Sequence, residues 1–137
     1  MVYAEVISGL WIGNIDMMYN KKFINDNNIR VIINCTTNVP FSETIQTHNI
    51  RIPLSDILIH NIETLRNNKD KILSTIDTLL ESNHILLCCY DGKTLSPFII
   101  SLYLIHYGGI LKEKIKPMIL SKHKEISMDY DVSLLDL

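Results

Sequence analysis

One segment sets the order of the elements around it: Leu86-Leu87-Cys88-Cys89-Tyr90-Asp91-Gly92-Lys93-Thr94-Leu95-Ser96-Pro97. An apolar, strand-like run that begins at His84 ends at the cysteine pair, and Ser96-Pro97 opens an apolar helical run that extends to Tyr107. A loop between a strand end and a helix start places backbone N–H groups and the helix dipole where they favour negative charge. Such a loop can stabilise a thiolate at Cys89 and hold a phosphate group.

Strands and helices alternate on both sides of this segment. The sequence predicts strands over residues 2–7, 10–12, 29–34, 48–54 and 84–88. It predicts helices over residues 16–25, 62–81, 96–107 and 111–122, with short ones near 45–46 and 130–137. This alternation predicts an α/β fold with a central, mostly parallel sheet of about four to five strands flanked by helices. Because no repeat or linker interrupts it, we expect a single domain over residues 1–137.

Composition narrows the class of protein. The 137 residues are 47% hydrophobic and 20% charged, which is typical of a globular chain, and a net charge of −2 gives no basic field for nucleic acid. No apolar run reaches the roughly 18 residues of a membrane span. Three cysteines without a signal peptide predict an intracellular, cytoplasmic protein with reduced thiols. The nucleus and the virion remain alternative locations. The abundance of Ile, Asn and Lys is typical of an AT-rich genome, for which a large DNA virus is one origin.

Two alternative motifs can be set aside. Gly92-Lys93-Thr94 matches the end of a nucleotide-binding P-loop, but Leu87 stands where that motif needs its first glycine. Cys88 and Cys89 are adjacent on a strand and so point to opposite faces, and no CxxC pair or histidine cluster accompanies them. The sequence therefore predicts neither a metal site nor a bound cofactor.

Four motifs occur in a fixed order: Ile7-Ser8-Gly9-Leu10-Trp11-Ile12-Gly13-Asn14, Ile29-Arg30-Val31-Ile32-Ile33-Asn34-Cys35-Thr36, Ile52-Pro53-Leu54-Ser55-Asp56, and Cys88-Cys89-Tyr90-Asp91-Gly92-Lys93-Thr94-Leu95-Ser96. Together they resemble the dual-specificity phosphatases, the compact branch of the cysteine-dependent protein tyrosine phosphatases. The last motif falls on that family's His-Cys-x-x-Gly-x-x-Arg-Ser/Thr loop. The resemblance covers nearly the whole chain and implies the fold of that family.

The resemblance also implies roles for individual residues. Cys89 would attack phosphorus as a thiolate, Asp56 would protonate the leaving oxygen, and Ser96 would stabilise the thiolate as leaving group. Gly92 would allow the tight loop. The implied phosphate-binding loop comprises Cys89, Tyr90, Asp91, Gly92, Lys93, Thr94 and Leu95.

Two positions depart from the pattern of the family. Leu95 stands in place of the arginine that grips the phosphoryl oxygens, and Cys88 stands in place of the histidine. Losing a bidentate, charge-assisted pair costs about 3–6 kcal/mol, or roughly 10²–10⁴-fold in rate. The three arginines, Arg30, Arg51 and Arg66, all lie outside the loop, and Arg51 is more simply structural.

These departures favour a pseudophosphatase, which acts by binding a protein or phosphoprotein partner. The alternative is an active, atypical phosphatase that uses Cys89, Asp56, the loop amides and Lys93, although Asp91 opposes the charge of Lys93. A third hypothesis is a structural or oligomerising module. The sequence leaves open the partner and the oligomeric state.

Overall fold

A computed structural model describes residues 2–122 and 127–137 of the chain. Its strands are β1 Tyr3–Ile7, β2 Leu10–Asn14, β3 Ile29–Asn34, β4 His48–Arg51 and β5 His84–Cys89. Its α-helices are α1 Ile15–Met18, α2 Lys21–Asp26, α3 Ile62–Leu80, α4 Leu95–His106 and α5 Lys112–Lys122. Two 3₁₀ helices cover Leu58–Asn61 and Val132–Leu135. In these described ranges, no helix is long and apolar enough to cross a membrane.

The five strands form one sheet in the order β1-β2-β5-β3-β4. Neighbouring strands are parallel from β2 through β5 and β3 to β4, and only β1 runs antiparallel, against β2. The prediction of a mostly parallel sheet with flanking helices is therefore confirmed. Because parallel strands share one direction, the loops that follow β2, β5, β3 and β4 all leave at the same edge of the sheet.

Strand β5 lies at the centre, and its residues from Ile85 to Cys89 are buried. Such a strand, covered on both faces, has a continuous apolar sequence rather than an alternating one. Alternate residues of β5 belong to two separate hydrophobic cores, one on each face of the sheet. Cys89 packs on one face with residues of α3, α4 and α5, and Cys88 packs on the other with residues of α1 and α2. The adjacent cysteines therefore point to opposite faces, as predicted.

Helix α4 is apolar on nearly all sides because it is enclosed. Its residues from Leu95 to Leu104 are all buried, including the polar Ser96 and Ser101. The Ser101 hydroxyl is satisfied by the Pro97 carbonyl at 2.7 Å and the Tyr130 hydroxyl at 2.5 Å. The C-terminal segment thus packs directly against α4.

Several local predictions differ from the structure. The helix predicted over residues 16–25 is two short helices, because Asn20 begins a new one by accepting a hydrogen bond from Phe23 N at 3.0 Å. No helix forms at residues 45–46, and β4 ends at Arg51, three residues earlier than predicted. The predicted terminal helix is a single 3₁₀ turn.

At Gly92 the loop after β5 packs directly against the end of β2. Its φ is +71°, and a Cβ at this position would lie 2.7 Å from Asn14 N and 2.9 Å from Gly13 C. Both contacts are with backbone, which cannot move aside as a flexible side chain can. The position therefore requires glycine for its conformation and for its closeness to the neighbouring strand.

We expect Gly92→Ala to lower the free energy of unfolding by about 2–4 kcal/mol, since strained φ and overpacking combine there. Gly109→Ala is the matched control, because Gly109 has a φ of +65° but no atom of the described residues lies within 4 Å of the position that an alanine methyl group would take. That variant should lose only about 1 kcal/mol, the cost of φ alone. Urea unfolding of both variants measures the difference, and equal losses would contradict the close packing of Gly92.

Candidate active site

The candidate site lies at the edge where the parallel strands end. The loop of residues 90–94 leaves β5 at Cys89 and enters α4 at Leu95. The carboxyl ends of parallel strands are the usual place for ligands in α/β sheets. The loops after β3 and β4 leave the sheet at the same edge.

Cys89 is the last residue of β5 and is only 1% exposed. Its Sγ accepts a hydrogen bond from Gly92 N at 3.2 Å and lies 3.2 Å from the Ser96 hydroxyl. Ser96 is fully buried in the first turn of α4. The structure thus brings together three residues that the sequence assigned to one site, and two donors can face a thiolate at Cys89.

Asp91 turns its carboxylate into the same loop. Its Oδ1 accepts hydrogen bonds from Lys93 N at 2.8 Å and Thr94 N at 3.3 Å, and lies 3.6 Å from Cys89 Sγ. Its Oδ2 lies 3.4 Å from the Thr94 hydroxyl. A carboxylate therefore occupies the N–H groups that make the loop attractive to an anion.

Leu95 is only 2% exposed and belongs to the same core cluster as Cys89 and Phe98. The position at which the resemblance leads us to expect an arginine is here part of the hydrophobic core. Leucine supplies no donor and no charge, so the loop depends on its backbone amides and on Lys93 for any attraction to an anion.

Cys88 faces the opposite core, among Met17, Met18 and Leu86. Burial raises the pKa of the Cys88 thiol well above its ordinary value, and the nearby Cys89 raises it further. Burial also raises the pKa of the Cys35 thiol. Both thiols therefore stay neutral near pH 7 and act as small apolar side chains.

The loop after β3 supports the site through Tyr90, a contact that the sequence did not reveal. The Tyr90 hydroxyl accepts a hydrogen bond from Thr37 N at 3.2 Å and lies 3.3 Å from Thr37 Oγ1. It also donates to Asn38 Oδ1 at 3.4 Å. No local pattern could have signalled this contact, because it joins residues 53 positions apart.

Arg51 holds that supporting loop rather than the candidate site. Its guanidinium donates to the carbonyls of Thr36 at 2.9 Å and Val39 at 2.7 Å, and it stacks over Phe41 at 5.1 Å. Buried Asn34 adds a bond to the Val39 carbonyl at 2.9 Å. The structural interpretation of Arg51 is thus confirmed.

Asp56 lies exposed on the loop after β4, at the same edge of the sheet as Cys89. That loop is held by Asn61, whose side chain accepts from Ser55 N at 2.8 Å and donates to the carbonyls of Ser55 at 2.8 Å and Ile57 at 3.1 Å. Within residues 2–122 and 127–137, no hydrogen bond or ion pair joins Asp56 to the loop after β5. Hydrogen bonds join Cys89 to Gly92 and Ser96, whereas Asp56 shares their edge of the sheet without a bond to them in the described part of the chain.

No protein-family model matches the chain. No curated protein matches it either. Solved structures do match over almost the whole chain. DUSP15 superposes with a TM-score of 0.81 at 18% identity, covering 98% of this chain and 85% of that one. Human DUSP28 gives a TM-score of 0.80 at 16% identity, with 97% and 89% covered.

A third similar structure is the human tyrosine phosphatase-like serine/threonine/tyrosine-interacting protein. Its TM-score is 0.73 at 14% identity, with 96% of this chain and 91% of that one covered. At such low sequence identities, structural similarity is evidence for the fold alone. This chain therefore has the fold of the dual-specificity phosphatases.

Proposed function

We propose that this chain is a phosphatase-derived domain that has lost efficient turnover and acts by binding a protein or phosphoprotein. The observation that carries the proposal is the burial of Leu95 at the position of the resembled family's arginine. Without that side chain, a transferring phosphoryl group would lose about 3–6 kcal/mol of transition-state stabilisation.

Two further observations support impaired chemistry. Cys88 is buried among apolar side chains, and in the described part of the chain its thiol makes no hydrogen bond that could replace the missing histidine. The Asp91 carboxylate faces Cys89 Sγ and would repel both a phosphate dianion and a thiolate. A similar fold whose name describes it as phosphatase-like and interacting offers a precedent for a binding role.

The proposal extends to the place of action. Cys35, Cys88 and Cys89 are all free and buried, which suits a reducing, intracellular compartment.

One observation favours the alternative, an active but atypical phosphatase. Cys89 Sγ keeps its contacts with Gly92 N and the Ser96 hydroxyl, so two donors that would stabilise a nucleophilic thiolate are in place. In that case Asp56 would supply the proton and Lys93 the only loop cation.

Hydrolysis of para-nitrophenyl phosphate by the purified protein separates the two functions. We expect the wild-type rate to equal that of Cys89→Ser within detection, because the loop lacks the group that stabilises the transition state. Turnover that disappears in Cys89→Ser would overturn the proposal and establish the alternative.

Replacing the missing side chain tests the reason for the loss. We expect Leu95→Arg to raise aryl phosphate hydrolysis about tenfold or more, still below the full 10²–10⁴-fold because Cys88 and Asp91 are unchanged. Leu95→Met, which keeps an apolar side chain of similar size, is the matched control and should show no gain. A folded Leu95→Arg protein with no gain would place the loss of turnover elsewhere.

A further inference from the structure

The three consecutive amides of residues 92–94 all donate inward, within the loop itself. Gly92 N donates to Cys89 Sγ, while Lys93 N and Thr94 N converge on a single oxygen, Asp91 Oδ1. Converging backbone N–H groups at a helix N-terminus are the elements of an anion site. In this chain their acceptors come from the chain itself.

Asp91 does more than close a local turn. A turn of this type needs only the bond to the amide two residues ahead, here Lys93 N. The same oxygen also bonds Thr94 N and lies 3.6 Å from Cys89 Sγ. The carboxylate thus lies beside the thiol. The phosphoryl group of a bound phosphate ester would need the same two donors, Lys93 N and Thr94 N.

The surrounding charges suit a built-in anion. Leu95 brings no cation to the loop, so the groups that attract an anion are the backbone amides, the start of α4 and the half-buried Lys93. The single negative charge of one carboxylate is matched by these groups. A phosphate dianion would bring a second negative charge without the arginine that neutralises it. Asp91 is itself exposed, so its side chain has solvent into which it can turn.

We propose that the Asp91 carboxylate is the resident anion of this loop and keeps free phosphate out of it. This inference rests on the proposed function only in treating the loop as a former phosphoryl site. It adds a cause: the site is closed from within, in addition to lacking its arginine. Phosphate enters when Asp91 turns outward and releases Lys93 N and Thr94 N.

The test is a titration of the full chain with inorganic phosphate, followed by calorimetry and by the amide NMR shifts of residues 92–94. We expect Asp91→Ala to bind phosphate about ten- to hundredfold more tightly than wild type, since it frees two donors to a charged group. The shift changes should centre on Gly92, Lys93 and Thr94. Should Asp91→Ala fail to fold, Asp91→Asn serves, with a gain of about threefold or more.

Asp129→Asn is the matched control for charge. Asp129 lies against the loop, its N–H donating to the Lys93 carbonyl at 2.8 Å, and its side chain is exposed. The variant removes one negative charge nearby without freeing a loop amide, so we expect less than about a twofold gain.

The inference is overturned if folded Asp91→Ala binds no more tightly than wild type, or if Asp129→Asn gains as much. The first result would mean that the carboxylate excludes nothing, and the second that only the net charge matters. Neither result changes the conclusion from the hydrolysis assay, because the titration measures binding rather than turnover. Conversely, Cys89-dependent turnover by the wild type would contradict the proposed function, and the phosphate affinities of the wild type and the two variants would still decide the role of Asp91.

Discussion

The central position of β5 is the constraint on which the rest of the structure depends. Its hydrogen bonds to β2 on one side and β3 on the other fix where Cys89 ends the strand, and its two faces supply both cores. Because Asn14 and Cys89 are in register, the loop after β5 must pass directly over the end of β2. Only a residue without a Cβ can make that passage, which is why Gly92 lies against the backbone of Gly13 and Asn14. The shape of the loop is therefore a consequence of the sheet, whatever chemistry the loop performs.

This dependence separates the geometry of the candidate nucleophile, Cys89, from the capacity of the loop to bind phosphate. Cys89 and Ser96 are buried side chains as well as members of the site, so the packing of the fold is enough to keep them in contact. Position 95, where the resemblance leads us to expect an arginine, has no such double role, because leucine packs in the core that surrounds it. A cysteine in the right place is thus weak evidence for turnover in this fold, and the residue at position 95 is more informative.

Periodicity predicted the sheet and the long helices because burial imposes those patterns. The mainly apolar runs of β3 and β5 and the apolar stripe of α3 could be placed to within a residue or two. The break between α1 and α2 could not, since Asn20 acts as a cap only once the chain has turned there. In the site, the interpretation of the loop came from its resemblance to the phosphatase loop, but the direction of the Asp91 side chain and the Tyr90–Thr37 contact depend on tertiary structure. Nothing local in the sequence distinguishes an aspartate that faces inward from one that faces solvent.

The bond between Asp129 N and the Lys93 carbonyl has a consequence for the loop as a unit. Together with the Tyr130 hydroxyl, which meets Ser101 on α4, it makes the C-terminal segment an outer wall of the strand–loop–helix unit. Three contacts hold the loop: the Asp91 carboxylate binds its own amides, the end of β2 packs against Gly92, and Asp129 N donates to the Lys93 carbonyl. It is therefore not an autonomous motif. Grafted onto another strand and helix without these supports, the same residues would not keep this conformation.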